Sequence, residues 1–335
     1  MSVARIADAL SPADVLRARG RIAGVVARTP LRASPSLSER AGVPVAVKWE
    51  QQQITGSFKL RGATNAVASL SEAERARGIV GVSTGNHGRA LAHAAKAVGA
   101  RCTIFMSELV PANKVDAIRA LGAEVAIGGR SQDEAQERAE TLVRAEQRVM
   151  LPPFDHRDII AGQGTLALEV LEDAPDTATL VVPVSGGGLV SGVALMAKAL
   201  NPAIRILGVS MRRGAAMHAS IAAGRPVQVE ELPTLADSLG GGIGLDNRYT
   251  FGLVQALVDD IVLVDETEIA AGIRHAYACE QEVIEGSGAV GIAALLAGRL
   301  RLAGPAVVLC CGRNIDMALH RRIIDGETPD VGGAG

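Results

Sequence analysis

Aromatic side chains are scarce in this sequence. Phe, Trp and Tyr together account for 2% of its 335 residues, which leaves few rings to stack on nucleobases or sugars. A surplus of one charge is also missing, because 34 Lys and Arg face 36 Asp and Glu with no long block of either sign. Since nucleic acids and anionic membranes attract a basic surface, we expect no nucleic-acid partner and no membrane partner.

Long apolar runs and a cysteine framework are missing too. Residues 306–311 form one of the longest apolar runs, far below the roughly 18 residues that span a membrane. The N-terminal residues contain no apolar stretch with a cleavage site, which argues against a signal peptide. Four cysteines with no CxxC pair do not make a disulfide scaffold in a chain of this length. We therefore expect a cytoplasmic protein with reduced thiols.

Glycine, by contrast, is plentiful, and its 38 residues indicate tight turns and close backbone contacts. Strand and helix patterns alternate along the chain after a first helix that begins at Ser11-Pro12. This alternation predicts an α/β protein with parallel sheets covered by helices. The predicted strands are 45–49, 79–83, 103–106, 124–127, 180–184, 204–209, 260–264 and 305–310. The predicted later helices are 58–68, 89–98, 114–121, 131–146, 190–200, 266–283 and 289–300.

A possible nucleophile turn lies at Gly81-Val82-Ser83-Thr84-Gly85, between a predicted strand and a predicted helix. This pattern matches the G-x-S-x-G turn of serine hydrolases. Asp155-His156 supplies an acid and a base downstream, although adjacent residues rarely stand one behind the other in a relay. A serine hydrolase therefore stays one alternative function.

A second glycine turn, Ser185-Gly186-Gly187-Gly188, follows an apolar strand and precedes a helix. Backbone N–H groups and the positive end of a helix dipole bind phosphate at such a turn. The G-x-G-x-x-G fingerprint of dinucleotide sites fails, because Ser191 stands at the third glycine position. Arg212 and Arg213 farther along keep an NADP dehydrogenase as another alternative, and a plain packing turn is a further, less favoured one.

Lys59 lies near the start of the helix predicted at 58–68. The positive dipole end disfavours a second positive charge there and lowers the pKa of the amine. A neutral amine is a nucleophile, as a Schiff-base lysine must be, and a separate phosphate turn would anchor an aldehyde cofactor that carries phosphate. Taken alone, Lys59 is better explained by a solvated surface position than by a catalytic role.

Four motifs occur together in a fixed order, and together they resemble the threonine/serine dehydratase and serine racemase family. The resemblance covers residues 16–316. It implies a pyridoxal 5'-phosphate enzyme of fold type II, a two-domain, three-layer, tryptophan-synthase-β-like fold with parallel sheets. It also implies β-elimination of water from a hydroxy amino acid. The motifs are Ser57-Phe58-Lys59-Leu60-Arg61-Gly62-Ala63, Ser83-Thr84-Gly85-Asn86-His87-Gly88, Gly162-Gln163-Gly164-Thr165 and Ser185-Gly186-Gly187-Gly188-Leu189.

The resemblance assigns roles to individual residues. Lys59 would form the Schiff base and remove the Cα proton of the substrate. Ser83 and Thr84 would be further catalytic residues, and Asn86 would bind the ring hydroxyl of the cofactor. The turn that binds the substrate carboxylate would consist of Ser83, Thr84, Gly85, Asn86 and His87. The cofactor would be held by Phe58, Lys59, Asn86, Ser185, Gly186, Gly187, Gly188, Leu189 and Cys311.

Cys311 belongs to a segment, 309–316, that is similar to the S-G-G-N motif of the family. The resemblance implies that its neutral thiol faces the pyridine nitrogen, where serine is usual. A neutral partner leaves that nitrogen unprotonated and favours elimination over a long-lived carbanion. Core packing of the Cys310-Cys311 pair stays an equally simple explanation.

Other positions depart from the family pattern or refine it. Ser210 stands where members with a divalent cation have an acid, so we expect no metal. Thr84 stands where racemases have a serine acid/base, so serine racemase stays an alternative. Residues 210–218 and 239–249 resemble the hydroxyectoine-utilisation dehydratase branch, which adds hydroxyectoine or a derivative to L-threonine and L-serine as candidate substrates.

The resemblance also implies a domain organisation and an assembly. A large cofactor-binding domain would comprise residues 1–77 and 154–325, and a small α/β domain, 78–153, would be inserted in it. Residues 326–335 would form a disordered tail. The expected assembly is a homodimer or a higher homo-oligomer.

Overall fold

The computed structural model describes residues 10–83, 85–108, 110 and 112–332, and their strands form two sheets. In the described part of the chain, the larger sheet has the order β1-β2-β10-β7-β8-β9 and the smaller has the order β5-β4-β3-β6. β1 pairs antiparallel with β2, and the other pairs are parallel. The strands are β1 (Leu31–Ala33), β2 (Val45–Trp49), β3 (Ile79–Val82), β4 (Cys102–Met106), β5 (Glu124–Ile127), β6 (Val149–Met150), β7 (Thr179–Pro183), β8 (Arg205–Met211), β9 (Asp260–Val264) and β10 (Ala306–Cys310).

Helices connect these strands and cover both sheets. None of the described helices is long and apolar enough to cross a membrane. The helices are α1 (Pro12–Ile22), α2 (Pro35–Ala41), α3 (Lys59–Ser69), α4 (Glu72–Arg77), α5 (Asn86–Ala97), α6 (Ala112–Ala120), α7 (Gln132–Glu146), α8 (Arg157–Asp173), α9 (Gly188–Leu200), α10 (Ala216–Ala223), α11 (Thr250–Leu257), α12 (Glu266–Glu280), α13 (Gly286–Leu296) and α14 (Met317–Ile324).

The larger sheet lies between two helical layers. Successive strand residues point to opposite faces, so Val181 packs in the core cluster of α12 and α13 while Val182 packs in that of α8 and α9. Both faces of β7 and β10 are therefore buried, as their continuous apolar sequences require. The α/β class with parallel sheets is confirmed.

The last strand, β10, lies between β2 and β7 rather than at the end of the sheet. This insertion places Cys310 directly opposite Trp49 in the register of β10 and β2. Because ligands of open α/β sheets bind beyond the carboxyl ends of the strands, the order of strands brings the segments after β2, β7 and β10 to one site.

The strand–helix alternation was predicted well, but several elements were missed. The longest of them is α8, which contains Gly162 and Gly164. The strands β3 to β6 lie within the predicted inserted segment, 78–153, and the domain boundaries stay a prediction. In the predicted tail, Pro329 is buried and Val331 packs against the larger core, whereas residues 333–335 lie outside the described part.

Candidate active site

One cavity gathers the predicted cofactor-binding residues. Its space is about 480 Å³ when the open solvent at its mouth is included. The nine residues predicted to bind the cofactor all line it: Phe58, Lys59, Asn86, Ser185, Gly186, Gly187, Gly188, Leu189 and Cys311. Six further residues, which the sequence did not single out, complete the lining: Phe154, Pro183, Ser238, Leu239, Glu285 and Ser287.

Lys59 is the first residue of α3, and its side chain points into the cavity. Its Nζ donates a hydrogen bond to the carbonyl oxygen of Pro153 at 2.7 Å and lies 5.3 Å from the centroid of the Phe58 ring. Burial lowers the pKa of Lys59 to about 8, although the nearby carboxylate of Glu285 acts in the opposite direction. The amine is therefore much easier to deprotonate than a surface lysine.

A buried ion network holds the helix that carries Lys59. Arg61, one turn inside α3, contacts Glu50 with Nε at 2.6 Å and Glu169 with Nη1 at 2.6 Å. Lys48 contacts the same Glu169 at 2.6 Å. Because the guanidinium makes several charge-assisted hydrogen bonds in fixed directions, this network fixes the start of α3 relative to β2 and α8.

The glycine turn after β7 leads directly into α9. Gly187 has φ +90° at the N-cap, a conformation that favours glycine. A Cβ on Gly186 would lie 2.5 Å from the ring of Phe154, and a Cβ on Gly188 would lie 3.0 Å from the Phe154 backbone. The glycines thus satisfy close packing and also present the first N–H groups of α9, which lack partners within the helix, as phosphate binding requires.

The second turn leads from β3 into α5. The Ser83 hydroxyl accepts a hydrogen bond from the Gly85 N–H at 3.3 Å, and Asn86 begins the helix. His87 Nε2 lies 2.9 Å from the Leu151 carbonyl oxygen, and burial together with the charge of Lys59 lowers the pKa of His87 to about 3. Of this predicted carboxylate turn only Asn86 lines the cavity, and Thr84 lies outside the described residues.

Cys311 follows the end of β10 and is buried at the wall of the cavity. Its Sγ donates to the carbonyl oxygen of Ser287 at 3.4 Å. Burial raises the pKa of the Cys311 thiol above its usual range, and the nearby Glu285 adds to this effect. The thiol is therefore neutral, as the sequence argument assumed.

Glu285 is the most informative residue that the sequence analysis missed. It is 2% exposed, and burial raises its pKa to about 7, while hydrogen bonds from Asn86 and Asn314 act against that rise. A strongly shifted carboxyl in a cavity is typical of a functional site. A lone acid directly before the apolar segment Gly286–Leu296 was the available signal in the sequence.

Asp155, His156 and Arg213 suggested the two alternative functions, but their contacts are structural. Asp155 accepts hydrogen bonds from the backbone N–H groups of Arg248, Tyr249 and Thr250, and His156 caps the start of α8. They do not form a relay with Ser83. Arg213 donates a hydrogen bond to the carbonyl oxygen of Pro233 at 2.7 Å, so its guanidinium already has a partner within the protein.

The donor set fits a phosphorylated aldehyde cofactor. Lys59 supplies the amine, Phe58 an aromatic side chain, Asn86 an amide, and the turn before α9 a phosphate cradle, and all four border one cavity. These are the groups that a Schiff-base cofactor with a planar ring and a phosphate needs.

Comparison with known proteins agrees with this chemistry. The family model described as pyridoxal-phosphate dependent enzyme matches residues 22–312, so the chain belongs to this family and uses pyridoxal phosphate. An L-threonine ammonia-lyase of Thermotoga maritima is 42% identical over 93% of this chain and 77% of its own length. A Sinorhizobium fredii protein, "Putative threonine dehydratase", is 60% identical over 95% of this chain and 96% of its own length.

A solved structure shows the same fold. Maize serine racemase is 34% identical, with a TM-score of 0.89 over 93% of this chain and 96% of that chain. The predicted family, fold type and cofactor are therefore confirmed.

Proposed function

We propose that this protein is a dehydratase of the ammonia-lyase type that removes water by β-elimination from a hydroxy amino acid, with L-threonine and L-serine as first candidates. The observation that carries this proposal is the buried amine of Lys59 facing the glycine turn of α9 across one cavity. The names of the two relatives, a dehydratase and an ammonia-lyase, support it.

Lys59 has two tasks in this proposal. Its Nζ would hold the cofactor through the aldehyde group, and as a free amine Lys59 would take the Cα proton of the substrate. A pKa of about 8 suits a base that works near neutral pH. Bound pyridoxal phosphate supplies the electron-withdrawing ring that makes the Cα proton acidic.

The two helix starts hold the negatively charged groups. The N–H groups of Gly187 and Gly188 bind the phosphate at the start of α9. The turn of Ser83, Gly85, Asn86 and His87 at the start of α5, together with Thr84, binds the substrate carboxylate. Both assignments rest on the first N–H groups of a helix, which have no partner within the helix, and on the positive end of the helix dipole.

The neutral wall of the cavity favours elimination. The Cys311 thiol offers no negative charge to a protonated ring nitrogen, so negative charge at Cα is stabilised only weakly. If the β-hydroxyl departs at the same time as the Cα proton, negative charge does not accumulate at Cα. The departing hydroxide and the Cα proton taken by Lys59 together make water. The enamine that remains tautomerises to an imine, which takes up water and gives a keto acid and ammonia.

Two finer possibilities remain part of the proposal. The similarity to maize serine racemase favours serine racemisation as a second activity, with Thr84 as the hydroxyl on the other face of the substrate. The residues that resemble the hydroxyectoine-utilisation branch favour hydroxyectoine or a derivative as a further substrate.

We also infer a cytoplasmic homodimer or higher homo-oligomer, and the exposed Tyr277 and Met317 would suit such a contact.

A substrate panel tests the proposal. The purified holoenzyme is incubated with L-threonine, L-serine, D-serine and hydroxyectoine, and keto acid, ammonia and serine enantiomers are measured. We expect keto acid and ammonia in equal amounts from L-threonine or L-serine. D-serine formation without keto acid would make the protein a racemase, and turnover of hydroxyectoine alone would assign it to that branch. Lys59→Ala is the negative control.

A further inference from the structure

Asn86 is held by hydrogen bonds on both sides of its amide. Its Nδ2 donates to Oε1 of Glu285 at 2.7 Å, and its Oδ1 accepts a hydrogen bond from Nδ2 of Asn314. Glu285 Oε2 in turn accepts from the backbone N–H of Asn314 at 2.9 Å. These three residues come from the start of α5, the residue before α13 and the segment after β10.

Two acceptors at the edges of this group, the Thr55 carbonyl oxygen and the Glu285 carboxylate, determine the direction of every hydrogen bond between them. The carbonyl oxygen of Thr55 only accepts, and Asn314 Nδ2 donates to it at 3.0 Å. The other hydrogen of that Nδ2 then points to the Asn86 oxygen, and the Asn86 nitrogen faces the Glu285 carboxylate, which also only accepts when ionised. Turning the Asn86 amide over would place two N–H donors against each other.

The backbone makes room for these side chains with two glycines. A Cβ on Gly56, which has φ +78°, would lie 2.7 Å from Oδ1 of Asn314. A Cβ on Gly312 would overlap the carboxylate of Glu285. Glycine at both positions therefore leaves the space that the side chains of Asn314 and Glu285 occupy.

From this arrangement we propose that Glu285 is a positioning residue. Together with Asn314, it fixes the Asn86 amide so that an N–H, and not its oxygen, is presented to the ring oxygen of the cofactor. Among the described residues, the second hydrogen of Asn86 Nδ2 has the Ser238 hydroxyl as its one neighbour, at 3.5 Å, and both Asn86 and Ser238 line the cavity. A donor at this place favours the ionised ring oxygen over the protonated hydroxyl. This inference rests on the proposal that Asn86 meets the cofactor.

Glu285→Gln tests the inference by the absorption spectrum of the resting holoenzyme, without substrate. Whichever way the new amide turns, it opposes an N–H of Asn86 or Asn314 with another N–H. We expect the band of the ionised ring to fall at least twofold at fixed pH, and the cofactor dissociation constant to rise about tenfold, the size of one hydrogen bond to a charged group.

Two further variants separate hydrogen bonding from charge and from folding. Asn314→Asp places an oxygen against the Asn86 oxygen and should shift the spectrum in the same direction. Asp237→Asn removes a negative charge that acts on Glu285 but leaves the hydrogen bonds of Asn86 intact, so its spectrum should match the parent. If Glu285→Gln does not fold, the pair Asn314→Asp and Asp237→Asn decides the question.

Three results would overturn the inference. Folded Glu285→Gln with the parent spectrum and the parent dissociation constant would show that Glu285 does not orient Asn86. An unchanged spectrum for Asn314→Asp would show the same, and an equal change in Asp237→Asn would show that charge alone acts. Because no substrate is used, these results are independent of whether the protein proves to be a dehydratase.

Discussion

The backbone N–H of Phe58 donates a hydrogen bond to the carbonyl oxygen of Cys311 at 3.0 Å. Through this bond, and the neighbouring bridge between Ser57 and Gly312, the residue before α3 is tied to the residue after β10. The distance between the amine of Lys59 and the wall formed by Cys311 is thus set by backbone contacts and not by side-chain packing alone.

Lys59 is expected to carry the cofactor. Borohydride reduction of the yellow holoenzyme should attach the chromophore to the peptide that contains Lys59, as peptide mass spectrometry would show. Lys59→Ala should lower turnover by at least about 10² to 10⁴, the contribution of one positioned general base, because it also removes the amine that holds the cofactor. Lys198→Ala, which removes a lysine paired with Asp259 far from the cavity, should keep both. Labelling at another lysine would contradict the assignment.

Ser83→Ala should weaken turnover without abolishing it. The Ser83 hydroxyl orders the turn by accepting the Gly85 N–H, so kcat/KM should fall by about 10² to 10³, the effect of one lost oriented group, with the chromophore intact. Ser71→Ala is a matched control, because that hydroxyl also accepts a backbone N–H, from Glu74 at the exposed start of α4. Total loss of turnover at normal cofactor content would instead make Ser83 a nucleophile or base.

The charge at position 311 should control the outcome of the reaction. Cys311→Ser keeps a neutral group and should keep elimination as the main reaction. Cys311→Asp places a carboxylate in the wall and favours a protonated ring nitrogen, so elimination should slow and a species absorbing at longer wavelength should accumulate during turnover. If Cys311→Asp eliminates as fast as the parent, with no new species, Cys311 does not face the ring nitrogen.

The contact between α8 and α9 should not tolerate added methyl groups. A Cβ on Gly192 would overlap the carbonyl oxygen of Ile160, and a Cβ on Gly164 would lie 2.8 Å from the Gly192 carbonyl oxygen. Gly192→Ala should therefore lower the free energy of unfolding by about 1–3 kcal/mol. In contrast, a Cβ on Gly20 in α1 meets nothing within 4 Å, so Gly20→Ala should raise it by up to about 1 kcal/mol. Urea titration measures both, and equal effects would refute the close contact.

Asp14 should stabilise the fold in a pH-dependent way. Burial alone would raise its pKa, but hydrogen bonds from Ser11 and Arg17 outweigh this and lower the pKa from 3.8 to about 2. Because the folded state holds the proton less tightly than the unfolded state, the stabilisation is complete above about pH 4 and disappears as the pH falls towards 2.

Asp14→Asn tests this pH dependence. At pH 7 it should cost about 1–2 kcal/mol, and the difference from the parent should shrink in urea titrations between pH 4 and 3. Asp116→Asn is the control, because Asp116 is 73% exposed beside Arg119 and should change stability little at either pH. A constant difference for Asp14→Asn would mean that the carboxylate charge is not responsible.

The missed helix α8 shows why pattern alone was insufficient. Gly162 and Gly164 are poor helix formers, and no local feature of the chain explains two of them in one helix. The reason is tertiary: a Cβ on Gly162 would lie 2.6 Å from the Arg61 carbonyl oxygen, and Gly164 packs against Gly192. Close approach to α3 and α9 selects glycine, and packing against both neighbours supplies the stability that helix propensity does not.

The sequence by itself determined the class of fold and the cofactor, and it predicted which residues hold that cofactor. Hydrophobic periodicity is local, so it identified the alternating strands and helices. The motifs around Lys59 and at residues 185–189 are short, and their chemistry depends on neighbours in the chain. The sequence alone therefore predicts the roles of Lys59 and the glycine turn.

Only the tertiary structure brought Asn86, Glu285 and Asn314 together. Glu285 lies 199 residues from Asn86 in the chain, and Asn314 lies 228 residues from it. No local pattern records which side chain meets which across such separations. The insertion of β10 between β2 and β7 decides that, and the same assembly excludes water and thereby shifts the pKa values of Lys59 and Glu285.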